Sequence, residues 1–425
     1  KPSLSQESIL RRKPSKSDPR CSFCGRSHSQ VEKIITGPQV HICNECVKLC
    51  NEVLAEEKQQ TLPWEDGEMP KPTEIKAFLD EYVIAQERAK KILSVAVYNH
   101  YKRIRTTIDL DGVELEKSNV MLIGPTGTGK TELAKTLAKS VQVPFSIADA
   151  TILTEAGYVG EDVENILVGL LQAADYDAAR AEKGIIYLDE VDKVARKSAT
   201  PTVGRDVSGE GVQQALLKII EGTTANIPPK GGRKHPEQPM IQMNTRNILF
   251  ICGGAFEGLD KVISQRVGKR TLGFGAEGSG EVDPDTSEVL PLVQPEDLLA
   301  HGMIPEFVGR VPVITTMDYL SEDDLLQILT EPRDAIIKQS VRLFAMDGVE
   351  AEFTEEALRK VVTLTVAKGT GARGLRSVLE QAMMDVMYEI PSQEDTTRLK
   401  ITAEMIENGI DQYDRDDGGM RRKSA

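Results

Sequence analysis

The stretch Gly124-Pro125-Thr126-Gly127-Thr128-Gly129-Lys130-Thr131 decides the fold of this chain. It matches the P-loop pattern G-x-x-x-x-G-K-S/T at every fixed position. The apolar run 120–123 precedes it and the helix-like run 132–138 follows it, so strand, loop and helix come in the required order. In such a loop, glycines let backbone N–H groups surround phosphates at the positive end of a helix. The stretch therefore predicts a nucleotide-binding α/β domain.

Four side chains in and beyond this stretch suit a nucleotide bound with Mg²⁺. Lys130 is placed to reach the outer phosphates, and the Thr131 hydroxyl is placed to bind the ion. Asp189 ends an apolar strand and would hold the same ion through its water shell, while Glu190 would orient and polarise the attacking water. The alternative is that Asp189 and Glu190 are ordinary surface acids after a core strand. The pattern favours hydrolysis of ATP.

Four of the six cysteines form a C-x₂-C-x₁₈-C-x₂-C pattern. They are Cys21, Cys24, Cys43 and Cys46. Two C-x-x-C turns present four thiolates to one tetrahedral Zn²⁺, and a module of this size is too small to fold on an apolar core alone. A closed four-ligand site leaves no position for catalysis. The module is therefore expected to bind a partner or to hold subunits together.

Other interpretations of the cysteines stay open. Two disulfides would suit an exported protein, but residues 1–20 are polar and lack the hydrophobic segment of a secretory signal. Cys50, His28 or His41 lies near enough in the sequence to replace one thiolate. Cys252 lies in an apolar strand, where a free cysteine is expected to be an inert core residue.

Length and charge limit the classes of protein to consider. The chain has 425 residues and a net charge of −14 at pH 7. The length predicts two or three domains. The acidic balance argues against broad binding to nucleic-acid backbone, and no apolar run approaches the roughly 18 residues of a membrane span. We therefore expect a soluble protein whose partners are neither nucleic acid nor membrane.

Apolar strands alternate with amphipathic helices over 76–320, which predicts a parallel sheet with the P-loop at the carboxyl end of a strand. The expected strands are 119–123, 145–148, 184–189, 247–252 and 311–316. A helix cap at Ser321 and Asp324 then begins a smaller domain. Its expected helices lie near 322–346, 355–367 and 373–388, and its strands near 349–353 and 398–402. The predicted organisation is a disordered segment 1–17, a zinc-binding module 18–55, a linker 56–73, a large domain 74–318, a small domain 319–414 and a disordered tail 415–425.

Two further motifs, Gly309-Arg310 and Gly371-Ala372-Arg373, complete a recognisable series with the P-loop and Asp189-Glu190. Over 76–410 this series resembles the AAA+ ATPases. The cysteine pattern and Gly157-Tyr158-Val159-Gly160 narrow the resemblance to the ClpX family, the unfoldase and specificity subunits of the Clp protease, across nearly the whole chain. The implied fold is a AAA+ P-loop parallel sheet with a smaller, mostly helical α/β domain after it and a zinc-binding module before it.

In that family ATP lies between the subunits of a six-membered ring. The resemblance implies that Arg310 reaches the γ-phosphate of a neighbour and that Arg373 senses the phosphate within its own subunit. A surface ion pair is the alternative for each. Val83 and Ile84 would pack on the adenine ring, and they also suit a protein core. The strand 249–254 ends in Cys-Gly-Gly where many AAA+ proteins carry a polar sensor, so no sensor is assigned.

Three loops carry further implications of the resemblance. Tyr158 and Val159, between glycines, would grip a polypeptide threaded through the central channel. Arg233-Lys234-His235 would attract acidic or carboxylate-ending tags to the channel. Leu272-Gly273-Phe274 would dock on the ClpP peptidase, which would supply the cleavage because no peptidase site is recognisable in this chain. The alternative for each is an ordinary surface loop.

The resemblance thus implies a homohexameric, ATP-dependent unfoldase that delivers tagged proteins to ClpP, with adaptor proteins bound by the zinc module. An HslU-like unfoldase shares the pore motif but lacks the cysteine module. A AAA+ nucleic-acid motor is the alternative from another class, and a scaffold that uses ATP only as a structural ligand has no need of Glu190. The expected compartment is the bacterial cytoplasm, with the mitochondrial matrix as the alternative.

Overall fold

The structure is a computed structural model that describes residues 20–38, 40–50, 64, 67–106, 113, 115–154, 161–195, 209–228, 240–271, 289–392 and 398–409. Contacts between residues divide the chain into two units, Lys1–Leu62 and Pro63–Ala425. Within the described ranges, no helix has both the length and the apolar character that crossing a membrane requires.

The first unit is built on an antiparallel hairpin. Its strands are β1 Ile34–Gly37 and β2 Val40–Cys43. A helix over 44–50 follows directly. Among the described residues of this unit, the buried apolar side chains are those of three cysteines, Cys21, Cys43 and Cys46. This part of the unit therefore lacks an apolar core of the size that usually stabilises a domain.

The second unit contains a central parallel sheet. In chain order the strands of the whole second unit are β3 Val120–Ile123, β4 Phe145–Asp149, β5 Leu153–Thr154, β6 Glu161–Asp162, β7 Ile185–Asp189, β8 Thr224–Ile227, β9 Ile241–Asn244, β10 Leu249–Gly254, β11 Val313–Thr316, β12 Glu350–Phe353 and β13 Arg398–Ile401. Five of them form the sheet in the order β11-β3-β10-β7-β4, with every neighbouring pair parallel. The prediction of a five-stranded parallel sheet is confirmed.

Burial explains why these strands are so apolar. Every residue of β3 and of β10 is buried. A strand buried on both faces of a parallel sheet carries apolar residues at successive positions, as the run Val120–Ile123 does. The surrounding helices of the large domain are Pro72–Asp80, Glu87–Arg105, Lys130–Val141, Asn165–Ala173, Ala178–Ala181, Glu210–Glu221, Leu259–Thr271, Pro295–His301 and Pro305–Gly309. The P-loop follows β3 directly, so the sheet sets the position of the site.

The residues after Ser321 form a smaller, mostly helical domain with an apolar cluster of its own. Its helices are Glu322–Thr330, Ile336–Met346, Glu355–Ala367, Ala372–Ala382 and Met384–Glu389. Its two strands, β12 and β13, pair in parallel. The predicted cap is confirmed, because the Ser321 N–H donates to Asp324 Oδ2 at 2.8 Å and Ser321 Oγ accepts from the Asp324 N–H at 3.1 Å.

Two of the predicted helices of this domain are wrong in their continuity. The helix expected over 322–346 ends at Thr330, and a second begins at Ile336. Pro332 lies between them, and a proline inside a helix removes a hydrogen bond and clashes with the preceding turn. The helix expected over 373–388 is likewise divided at Met383, a buried residue with φ −96° and ψ 1°.

Candidate functional site

A cleft of about 880 Å³ lies where β7 and β10 end and the P-loop begins. That volume is within the range of small-molecule and cofactor sites, roughly 300–1,000 Å³. Residues of the large and the small domain line it together. Those expected from the sequence are Thr126, Gly127, Thr128, Gly129, Lys130, Thr131, Val83, Ile84, Asp189, Glu190 and Arg373. Residues distant in the sequence thus meet at one cleft.

The P-loop has the backbone that its glycines predict. Gly127 and Gly129 have φ of +83° and +94°, a region that residues with a Cβ rarely adopt. The helix that follows begins at Lys130. The first N–H groups of a helix have no acceptor within the helix, so this end presents donors and partial positive charge to an anion. The loop therefore fits a bound phosphate.

The Lys130 ammonium lies inside this loop. Its Nζ donates to the carbonyl oxygens of Gly124 at 2.6 Å and Pro125 at 2.9 Å. Burial lowers the pKa of Lys130, against the attraction of Asp189 and Asp192. A phosphate in the loop would supply the full negative charge that these carbonyl groups lack. The position of Lys130 therefore suits a partner for a phosphate.

The proposed metal side of the cleft is organised around Asp189. Thr131 Oγ1 donates to Asp189 Oδ2 at 3.4 Å, and the Glu190 N–H donates to Asp189 Oδ1 at 3.0 Å. Glu190 has φ +56° and ψ +33°, a left-handed conformation that costs a residue with a side chain about 1–3 kcal/mol. Such strain is common at functional sites. The hydroxyl and the carboxylate are a donor set that suits Mg²⁺.

Two side chains at this site were missed by the sequence analysis. The Tyr187 hydroxyl donates to Asp189 Oδ1 at 3.1 Å, and burial, with the charge of Asp189, raises the pKa of Tyr187. The buried Asp192 accepts from the Ala255 N–H at 3.2 Å through Oδ1. Side chains alternate between the two faces of a strand, so Tyr187 and Asp189 lie on the same face of β7. This alternation could have indicated Tyr187 from the sequence. Nothing local to Asp192 predicts its burial.

The segment expected to contact adenine forms the wall of the cleft before the helix Glu87–Arg105. Val83 is buried and Ile84 is half-buried there. Ala85 and Gln86 follow with φ of +54° and +63°, so the chain turns sharply between two helices. This wall contains both apolar residues, which agrees with the core interpretation as well as with contact to a base.

Gln86 joins this wall to the connection between the two domains. The buried amide donates from Nε2 to the Asp318 carbonyl at 2.9 Å and accepts from the Asp318 N–H at 2.8 Å. Asp318 lies between β11 and the cap at Ser321. A buried polar side chain keeps such bonds because leaving either group without a partner is costly. The sequence analysis placed Gln86 only in the segment expected near adenine and did not predict these two hydrogen bonds.

The two arginines lie in different places. Arg373 lines the cleft from the small domain, and the neighbouring Ala372 N–H donates to the Gly127 carbonyl at 3.1 Å. Arg310 is not part of the cleft lining, and its Nε donates to Glu221 at 2.9 Å. Within one chain the structure brings Arg373 to the P-loop but not Arg310.

The four cysteines of the first unit come together as one cluster. Their Sγ atoms lie within 4.8 Å of one another, with Cys21 and Cys46 at 3.8 Å and Cys24 and Cys43 at 3.6 Å. Zn–S bonds of about 2.3 Å in a tetrahedron place sulfur atoms roughly 3.8 Å apart, so the cluster fits Zn²⁺.

Two of these thiols have pKa values that differ from that of a free cysteine. Burial opposes ionisation of Cys21, but backbone N–H groups, that of Cys24 first, outweigh it and lower its pKa to about 6. The neighbouring thiols, that of Cys24 first, raise the pKa of Cys46. Four thiolates can share this space only with a cation between them. Of the alternatives, His41 Nδ1 lies 3.2 Å from the Thr36 hydroxyl and Cys50 is not part of the cluster.

Three groups of predicted residues lie outside the described residues. They are Tyr158 with Val159, Arg233 with Lys234 and His235, and Leu272 with Gly273 and Phe274. Their roles stay predictions, as do the domain boundaries.

Three parts of the chain match models of known protein families. Residues 115–314 match an AAA domain of the Cdc48 subfamily, residues 19–56 match the ClpX C4-type zinc finger, and residues 320–403 match the C-terminal D2-small domain of ClpB protein. The parallel P-loop sheet and the first of these matches define the class, a AAA+ protein with the α/β fold, and support an ATPase. Together with the zinc-finger and small-domain matches, this match fits a ClpX-like AAA+ protein.

Proposed function

We propose that this protein is an ATP-dependent unfoldase and translocase that works as a homohexamer, recognises tagged proteins and delivers them to a ClpP peptidase. The zinc module would bind adaptors or substrates. The proposal is supported by the ClpX-type zinc finger match together with the AAA domain match. Neither match by itself names a substrate or a partner.

The observation that carries the proposal is the direct contact of the P-loop with the small domain. The Ala372 N–H donates to the Gly127 carbonyl at 3.1 Å, and a Cβ added at Gly127 would lie 2.7 Å from the Thr370 carbonyl oxygen. A change in the loop when phosphate leaves would therefore be transmitted to the small domain through these contacts. Coupling of this kind turns hydrolysis into movement of one domain against the other.

The residues of the cleft would have different roles in hydrolysis. ATP with Mg²⁺ supplies the phosphoryl group whose transfer to water releases the free energy. Lys130 and the loop N–H groups would hold the phosphates, and Thr131 and Asp189 would hold the ion. Glu190 would orient and polarise the attacking water. Arg373 would respond to the γ-phosphate from the same chain.

Arg310 would act on the site of a neighbouring subunit. It is half-exposed, at the end of the helix Pro305–Gly309, and it pairs with Glu221 at the surface. Exposed ion pairs of this kind contribute little to stability, roughly 0–1 kcal/mol, so exchange of Glu221 for a phosphate costs little. The guanidinium has a permanent charge and a fork of donors that matches phosphate oxygens.

Tyr158 and Val159 would grip a substrate, and movement of the small domain would pull on it. Target domains are typically stable by only about 5–15 kcal/mol, so repeated pulling with local unfolding is energetically reasonable. The charged loop Arg233-Lys234-His235 would attract the tag, and Leu272-Gly273-Phe274 would dock on the peptidase.

The test is the ATP-dependent loss of fluorescence from a stable, tagged reporter protein, with and without ClpP peptidase. We expect loss with the wild type, none with Glu190→Gln, and loss again with the control Glu350→Gln, which changes an exposed acid of the small domain. Tyr158→Ala should slow the loss, and Tyr158→Phe should restore it because the bulk of the ring is kept.

Two results would favour the alternatives. ATP turnover that DNA stimulates, with an intact reporter under every condition, would indicate a nucleic-acid motor. Unfolding that does not depend on the zinc module, and degradation that requires a peptidase other than ClpP, would indicate an HslU-like unfoldase.

A further inference from the structure

Side chains from other parts of the chain occupy the space beside the two glycines that end β10. A Cβ added at Gly253 would overlap the Tyr187 hydroxyl and lie 2.6 Å from Tyr187 Cζ. One added at Gly254 would lie 2.6 Å from Asp192 Oδ1. β10 pairs with β7 in parallel, with Ile251 opposite Tyr187, so Gly253 lies two residues further along the same face. A polar side chain at the end of β10 would have no room.

The Tyr187 hydroxyl does more than fill space, because it forms a hydrogen bond at the site. It donates to Asp189 Oδ1 at 3.1 Å, and the same oxygen accepts from the Glu190 N–H at 3.0 Å. The other oxygen, Oδ2, faces the Thr131 hydroxyl at 3.4 Å. Two donors thus fix the rotation of the carboxylate. Oδ1 accepts two hydrogen bonds, and Oδ2 is turned toward the P-loop, where it accepts the longer bond from Thr131.

We propose that Tyr187 is a positioning residue for metal-dependent nucleotide binding, because its hydroxyl holds Asp189 Oδ1 and leaves Oδ2 for Mg²⁺ and its water shell. Tyr187 thereby supplies from β7 the polar group that the end of β10 cannot carry. This inference rests on the proposed ATPase function. Partners that fix a metal-binding carboxylate commonly change metal affinity by about 10–100-fold when they are removed.

The competing explanation is that Tyr187 is only a large core residue. A phenyl ring would fill the same space, and a buried hydroxyl is unfavourable unless it has a partner. Tyr101 provides the comparison, because it is also buried and its hydroxyl donates at 2.9 Å to the backbone carbonyl of Lys183. Tyr101 does not line the cleft. Loss of its hydroxyl measures what a buried tyrosine contributes to folding alone.

The experiment compares the full-length wild type with Tyr187→Phe and Tyr101→Phe. Binding of a fluorescent ADP analogue is titrated at increasing Mg²⁺, and the urea midpoint of each protein is measured without nucleotide. We expect Tyr187→Phe to need about tenfold more Mg²⁺ for half-maximal binding than the wild type. Tyr101→Phe should need the same Mg²⁺ concentration as the wild type. Without Mg²⁺, the three affinities for the analogue should agree.

The urea midpoints separate positioning from packing. If Tyr187→Phe and Tyr101→Phe lose similar stability while only Tyr187→Phe changes the Mg²⁺ requirement, the positioning role is supported. An unchanged Mg²⁺ requirement in Tyr187→Phe overturns it and leaves the proposed ATPase intact. If the wild type itself neither hydrolyses ATP nor depends on Mg²⁺ for binding, the proposed function fails, and this inference fails with it.

Discussion

The zinc module and the nucleotide-binding unit are stabilised by different interactions. In the described part of the module the buried apolar side chains are three cysteines, whereas the sheet of the second unit contains strands that are buried at every residue. Each fully buried Leu, Ile or Phe contributes roughly 1.5–3 kcal/mol, so a unit with many of them needs no metal. The difference indicates that one change of conditions can unfold one unit and leave the other folded.

Removal of zinc should have the largest effect and should be confined to the module. Structural zinc contributes apparent binding free energies of about 10–16 kcal/mol in zinc-finger peptides, far more than the small apolar cluster offers. We expect a chelator, or Cys46→Ser, to abolish protection from hydrogen exchange over 20–50 and to leave ADP binding unchanged. Cys50→Ser, the matched control, should keep its zinc. An equal loss of zinc from both variants would contradict the assigned ligands.

A cavity in the central sheet should destabilise the second unit and leave the zinc module unchanged. Leu122 is fully buried in β3, between β10 and β11, so Leu122→Ala should lower the free energy of unfolding of the second unit by about 2–5 kcal/mol. The single tryptophan, Trp64, reports on this unit alone, because it is buried and donates to the Val141 carbonyl at 3.1 Å.

The measurement is urea unfolding followed by Trp64 fluorescence. The zinc content should stay constant in Leu122→Ala, and Leu343→Ala, at an exposed position, should change the urea midpoint little. A loss of zinc with Leu122→Ala would show that the two units do not unfold independently.

Acid should destabilise the second unit through His100. Burial first, and then the charge of Arg103, lowers the pKa of this histidine to about 3, and its Nε2 lies 2.9 Å from the Asn247 carbonyl oxygen. An unfolded histidine has a pKa near 6.5, so between these values the unfolded state binds the additional proton. Stability therefore falls as the pH falls below about 6.5, by up to about 2 kcal/mol at pH 5.

The corresponding measurement is the urea midpoint from Trp64 fluorescence between pH 7 and 5. His100→Gln keeps a donor for the Asn247 carbonyl and cannot titrate, so its stability should change less over this range. If both proteins lose stability equally, His100 is not the group responsible.

The smallest expected effect is at the cap of the small domain. Ser321→Ala removes the acceptor of the Asp324 N–H and should cost about 1 kcal/mol. Faster hydrogen exchange of the amides in Glu322–Thr330 would report this loss, and Ser321→Thr should largely restore protection. If Ser321→Thr does not restore this protection, the loss of the cap acceptor is not its cause.

The sequence predicted best where function depends on neighbouring residues. The P-loop, the Asp189-Glu190 pair and the two C-x-x-C turns each lie within a few residues, so their spacing could be recognised directly. The number and positions of the parallel strands followed from alternating apolar runs, whereas their order in the sheet was not predicted. Helix continuity was less predictable, since Pro332 and Met383 interrupt patterns that stay amphipathic across the break.

What the order of residues established is therefore local: a phosphate loop, an acid pair and four cysteines with the spacing of a zinc site. Only the folded chain brings Arg373 to the P-loop, joins Gln86 to Asp318 and places the Tyr187 hydroxyl over Gly253 and against Asp189. The physical reason is that strand register and domain packing set contacts between residues far apart in the sequence, and no local spacing encodes that geometry.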